Sequence, residues 1–129
     1  MLKRLNPSTV PKPTSPYSQA VEAAPGLRWL HISGQVGVDP SGRVLDGAEA
    51  QLEQIWRNIL AILESAGMGP HDLVKVTVLL TRKEDIPLSR QVRQRMLQGA
   101  EPASTLMVVA GLANPDYLAE IEAIAAKAP

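Results

Sequence analysis

No cysteine occurs among the 129 residues, which removes disulfides, thiol nucleophiles and thiolate-held metals at once. Phenylalanine is absent too, leaving Tyr17, Trp29, Trp56 and Tyr117 as the aromatic set. The core is therefore expected to be aliphatic, and a row of stacking platforms for single-stranded nucleic acid is missing. Charge of one sign is also lacking, since 13 basic residues face 13 acidic ones. Binding that neutralises phosphates needs a basic face, so a nucleic-acid partner is disfavoured. No apolar run approaches the roughly 18 residues that would suggest a membrane span. The opening "MLKRLNPSTVPKPTSP" carries basic residues but no apolar stretch of the kind a signal peptide needs. These features suit a cytoplasmic protein.

What is present is globular: 45% hydrophobic and 20% charged residues, enough for one domain over 1–129. Four prolines in residues 1–16 favour extended backbone, so residues 1–14 read as a proline-rich arm. "LRWLHISGQVGV" (27–38) half-alternates and reads as a strand ending in a glycine-punctuated bend, with "DPSGR" (39–43) as a turn. "AEAQLEQIWRNILAILESAG" (48–67) places Leu52, Ile55, Ile59, Leu63 and Ala66 on one helical stripe and Gly67 at its end. "DLVKVTVLL" (72–80) reads as a strand. "EDIPLSRQVRQRML" (84–97) reads as a helix with stripe Leu88, Val92 and Met96, its arginines 90, 93 and 95 lying elsewhere around a solvated surface. "STLMVVAGL" (104–112) is another apolar strand. "YLAEIEAIAAKA" (117–128) is ambiguous: its composition favours helix, while Glu120 and Glu122 alternate with Ala119, Ile121 and Ala123 as in a strand. A single sheet covered on one side by two helices is the economical packing, its other face left to water or another subunit.

The chemistry on offer is sparse. His31 and His71 lack the helical spacing of a zinc motif, so no metal site is expected. The glycines of "SGQVGVDPSG" are not followed by a helix as a phosphate cradle requires, and a bend plus hairpin turn explains them. If the last element is a strand, Glu120 and Glu122 share a face, and a carboxylate in a cleft can orient or deprotonate water without a metal. "EPASTLMVV" (101–109) sets the hydroxyls of Ser104 and Thr105 at the mouth of a strand, where they either fill space or hydrogen-bond a ligand.

"SPYSQAV" (15–21), "ISGQVGVDPSG" (32–42), "ILESAG", "DLVKVTVLL", "EPAST" and "AEIEAIA" (119–125) come in the order seen in the RidA/YjgF/UK114 superfamily. The resemblance runs from about residue 13 to 126. It implies a chorismate-mutase-like α+β fold: a mostly antiparallel sheet, two helices on one face, and a homotrimer around a central barrel with clefts between subunits. The last element then becomes a strand. It also implies hydrolysis of reactive imines or enamines to a 2-oxo acid and ammonia, with no cofactor. By matching motif, Glu120 would place the attacking water, Tyr17 would line the pocket, and Ser33 and Gly34 would belong to its backbone wall. The family's substrate-clamping arginine falls on Ser104, and its second-helix asparagine on Arg90. The substrate is thus expected to lack the usual α-carboxylate or to be held differently, by Ser104, Thr105 or Arg90. The alternatives are a non-catalytic small-molecule-binding trimer and, less favoured, a ribonuclease or translation inhibitor.

Overall fold

The computed structural model describes all 129 residues. Its elements are β1 (Leu2–Leu5), β2 (Ala20–Ala23), β3 (Arg28–Val36), α1 (Ala48–Ser65), β4 (Leu73–Leu80), α2 (Ile86–Met96), β5 (Ala103–Val108) and β6 (Ala119–Lys127). The main sheet has the order β3-β6-β4-β5; β6 pairs antiparallel with both neighbours, and β4 and β5 are parallel, joined across α2. This is the expected α+β architecture of two helices and a mostly antiparallel sheet.

β6 follows the alternation and not the local propensity. Ala119, Ile121, Ala123 and Ala125 are buried towards the helices, while Glu120 and Glu122 point away from them. A central strand satisfies its backbone on both edges, and small alanines let α1 lie close against it. Helix preference of a few tenths of a kcal/mol per residue, about what Ala, Glu and Lys offer, does not compete with that. Opposite them, α1 buries Leu52, Ile55, Trp56, Ile59 and Leu63 completely. Gly67, at φ 69°, ends the helix, and the Met68 N–H returns to the Leu63 carbonyl at 2.8 Å.

Three boundaries differ from expectation. The second helix begins at Ile86, because Lys83–Asp85 form a 3₁₀ turn in which the Arg82 guanidinium donates to Asp85 at 2.9 Å. β5 stops at Val108, where its partner β4 also ends at Leu80. The proline-rich arm contains a strand, since Leu2–Leu5 pairs antiparallel with Ala20–Ala23. Its prolines are confined to the loop between those strands, where no ladder hydrogen bond is needed.

Strand parity divides the sheet. Ile32, Val76, Val78, Ser104 and Leu106 look towards the helices; Trp29, His31, Lys75, Thr77, Thr105, Met107 and Glu120 look the other way. That outer face is polar at its centre, with Trp29 and Met107 about half exposed (51% and 47%).

Candidate functional site

The loop after β1 is held against the start of β5 by Ser18. Its N–H donates to the Pro102 carbonyl at 3.1 Å, and its hydroxyl donates to the Glu101 carbonyl at 2.6 Å. The residues just before it, Ser15 and Tyr17, thereby face α2 across a gap. Ser104 on β5 supplies the floor of that gap, and Ser89, Arg90 and Arg93 on α2 supply its wall. The resulting cavity has a volume of about 250 Å³. That is just below the span of typical ligand pockets, roughly 300–1,000 Å³, and suits a molecule the size of an amino acid.

Arg93 dominates the cavity. It is only 7% exposed; one guanidinium nitrogen donates to the Ser104 hydroxyl and another to the Ser15 hydroxyl, both at 3.0 Å. Neither partner carries charge, and no acidic residue lines the cavity. Burial pushes the Arg93 pKa below the ordinary arginine value, and the nearby Arg90 lowers it further against an opposing effect of Tyr17. This corrects the expectation of a solvated arginine face. The buried side of α2 is Ser89, Val92 and Arg93, with Leu88 and Met96 only partly covered. Arg93 lies four residues after Ser89 and next to Val92, inside the stripe of 100° or more that a packed helix buries. Of the other two arginines, Arg90 is exposed at the mouth, and Arg95 turns to the glutamates of α1.

The remaining candidates fall elsewhere in the chain. Glu120 lies on the outer face, and its carboxylate rests on Gly34, where a Cβ would collide with Glu120 Oε2. Gly34 sits in the bulge between Ile32 and Gln35, so the pleat is interrupted where the carboxylate needs room. Ser33 is exposed in the same bulge, beside a shallow hollow with His31 and Glu122. Thr105 also looks outward, accepting a hydrogen bond from Lys75 Nζ at 2.6 Å; alternation along β5 takes it away from Ser104. The structure thus unites Tyr17, Arg90 and Ser104, and joins Gly34 to Glu120. Within one chain it does not bring Glu120, Ser33 or Thr105 to the cavity. Arg93, Ser15 and Ser89 were not anticipated as site residues.

The chain segments that follow β3 and precede β6 are tied to α1 by one residue. Gln51, buried to 2% exposure, donates to the carbonyls of Leu45 and Asp116 at 3.0 and 2.9 Å and accepts the Leu118 N–H at 2.8 Å. One side chain therefore ties together the exit of β3 and the entry of β6. No three His, Asp or Glu side chains gather into a group that could hold a metal ion.

A small α+β domain with an arginine-lined cavity at its helix–strand edge is the class that fold and site define. The family model described as Endoribonuclease L-PSP matches residues 7–127, and the chain belongs to this family, the RidA/YjgF superfamily. Among curated relatives, a RutC family protein of Pyrococcus horikoshii is 40% identical over 91% of each chain. The 2-iminobutanoate/2-iminopropanoate deaminase of Mus musculus is 36% identical over 98% of this chain and 93% of its own. Among solved structures, the Rid family protein YyfB from Yersinia pestis superposes with a TM-score of 0.85 at 32% identity, covering 96% of this chain and 97% of that one. RidA from the Antarctic bacterium Psychrobacter gives 0.73 at 35% identity, covering 95% and 98%.

Proposed function

We propose that this chain hydrolyses the imines or enamines of amino acids to 2-oxo acids and ammonia, and that Arg93 holds the substrate carboxylate from helix α2. The observation that carries this reading is a buried guanidinium facing an open cavity with only neutral hydroxyls as partners. Such an arrangement leaves the charge without a counterion, and a carboxylate accepting two parallel N–H bonds is the ligand that resolves it. Ser104 then has a defined part: it holds the Arg93 fork at the place where the resemblance expects an arginine. The names of the mammalian relatives point to the same chemistry.

The reaction needs no more than water and a group that accepts a proton and returns it. Water adds to the C=N carbon while a carboxylate takes its proton. The carboxyl returns that proton to the nitrogen, giving the tetrahedral amino alcohol; its hydroxyl proton then passes to the nitrogen as the C–N bond breaks, so that ammonia leaves and the 2-oxo acid forms. Glu120 is the carboxylate for this step. Its position on the outer face of the sheet, away from the cavity of its own chain, supports a part in the cavity of a neighbouring subunit, where Tyr17 closes the wall. The homotrimer implied by the resemblance supplies that junction, and the half-exposed Trp29 and Met107 are consistent with a covered outer face.

Ammonia release from 2-iminobutanoate generated in situ tests the reading. The wild type should accelerate it. Glu120→Gln should cost at least tenfold in kcat with product binding kept, a typical loss on removing a general base. Wild-type protein that binds 2-oxobutanoate but releases ammonia no faster than buffer would establish the non-catalytic alternative, which the separation of Glu120 from the cavity within one chain favours.

A further inference from the structure

Two arginines line the cavity, and the proposed reaction on a simple 2-imino acid uses only one. Every other arginine within residues 48–97 has a carboxylate partner: Arg57 with Glu53, Arg82 with Asp85, Arg95 with Glu49 and Glu53. Arg90 and Arg93 have none, and they sit three residues apart on one helix face. Side chains at that spacing leave the helix about 5–6 Å apart. The charge of Arg90 adds to the cost of keeping the buried Arg93 ionised. A cluster of two unpaired cations with hydroxyls from Ser15, Ser89 and Ser104 around it is an anion site of more than one charge.

We infer that the cavity selects dianionic substrates, namely the imines of amino acids whose side chain carries a second carboxylate. Arg93 at the bottom takes one carboxylate and Arg90 at the mouth takes the other. Two guanidiniums one helical turn apart, one buried and one exposed, suit two anionic groups separated along a short chain better than one compact dianion such as phosphate. This deepens the deaminase reading and rests on it for the word substrate, while the binding preference itself stands independently.

Equilibrium binding separates the two claims. Calorimetric titration of the assembled wild-type protein with 2-oxoglutarate, 2-oxobutanoate and inorganic phosphate should give the dicarboxylate at least roughly tenfold the affinity of the monocarboxylate, as one added charge-assisted pair provides. Arg90→Gln should bring 2-oxoglutarate down to the affinity of 2-oxobutanoate, and Arg93→Met should abolish binding of both. Circular dichroism melts of the variants check that each is folded. Equal affinity for the two oxo acids, a preference untouched by Arg90→Gln, tighter binding of phosphate, or no binding of any probe to the wild type would each overturn the inference. A dicarboxylate preference without accelerated ammonia release would uphold the inference and remove the deaminase reading instead.

Discussion

Arg93 and Arg95 leave the same helix two residues apart and meet opposite surroundings. Arg95, 47% exposed, reaches Glu53 Oε2 at 3.3 Å and Glu49 Oε1 at 3.7 Å, and so fastens α2 to α1 through charges that water already screens. Arg93 is buried, and its nearest partners are two serine hydroxyls. Water supplies part of what the first needs, whereas nothing in the chain neutralises the second. A fold that wanted only stability would not keep such a group, because replacing a poorly compensated buried charge with an apolar side chain is often neutral or favourable. The difference marks the seam between helices as structural and the cavity edge as a place held open for an anion.

The widest separation should come from moving the charge. Arg93→Met is expected to lower kcat/KM on 2-iminobutanoate by about a hundredfold, equivalent to about 2.7 kcal/mol of lost charge-assisted bonding. Its melting temperature should stay level or rise. Adding Ser104→Arg to that variant should recover at least tenfold, since a strand-borne guanidinium then enters the same space. Ser104→Arg in the presence of Arg93 should instead lose stability, because two cations would share the cavity without a counterion. Recovery in neither background would mean that the cavity is not where the carboxylate binds.

A second contrast lies between two glycines at the end of β3. A Cβ at Gly37 would meet the backbone of α1, 2.7 Å from Gln51 Cα, while one at Gly34 would meet only the Glu120 side chain. Backbone cannot yield as a flexible carboxylate can. Gly37→Ala should therefore destabilise by about 2 kcal/mol, as overpacked sites do, read from chemical denaturation. Gly34→Ala should cost less than about 1 kcal/mol in stability yet reduce turnover roughly tenfold, because displacing a positioned group by an ångström is enough. Equal stability losses with unchanged turnover would remove Glu120 from the proposed chemistry.

These two contrasts also show where the sequence was informative. The stripe of α1, the turn at Asp39 and the alternation of Glu120 with Ala119 and Ile121 are periodic signals, and each came out in the structure as an element. The helical composition of 117–128 misleads because residue preferences say nothing of two neighbouring strands waiting on either side. Tyr17 and Ser104 were legible as neighbours of one site through the resemblance of their motifs. Arg93 was not, because a three-residue stripe of Leu88, Val92 and Met96 is too narrow. Counting Ser89 into the buried face would have carried Arg93 in with it. That Thr105 belongs to the other face follows from period two alone, once Ser104 is placed inward.

The smallest effect should come from Arg95, and its pH dependence sharpens the contrast. The Glu53 carboxyl is held below the usual carboxylate range, first by the hydrogen bond from Arg57, then by the charges of Arg57 and Arg95, with desolvation opposing. A depressed carboxylate pKa stabilises the fold above its unfolded value and loses that contribution as pH falls through the folded value. Arg95→Met should thus lower the melting temperature less than Gly34→Ala does at pH 7, leave turnover within about twofold, and differ less from wild type as Glu53 protonates in acid. Salt should erase the same small difference, since exposed pairs are screened. Arg93→Met should show neither response: its loss is in binding an anion, and neither Glu53 nor any other acidic side chain lines the cavity. A turnover defect of Arg95→Met as large as that of Arg93→Met would dissolve the distinction between the two arginines, and with it the assignment of the cavity.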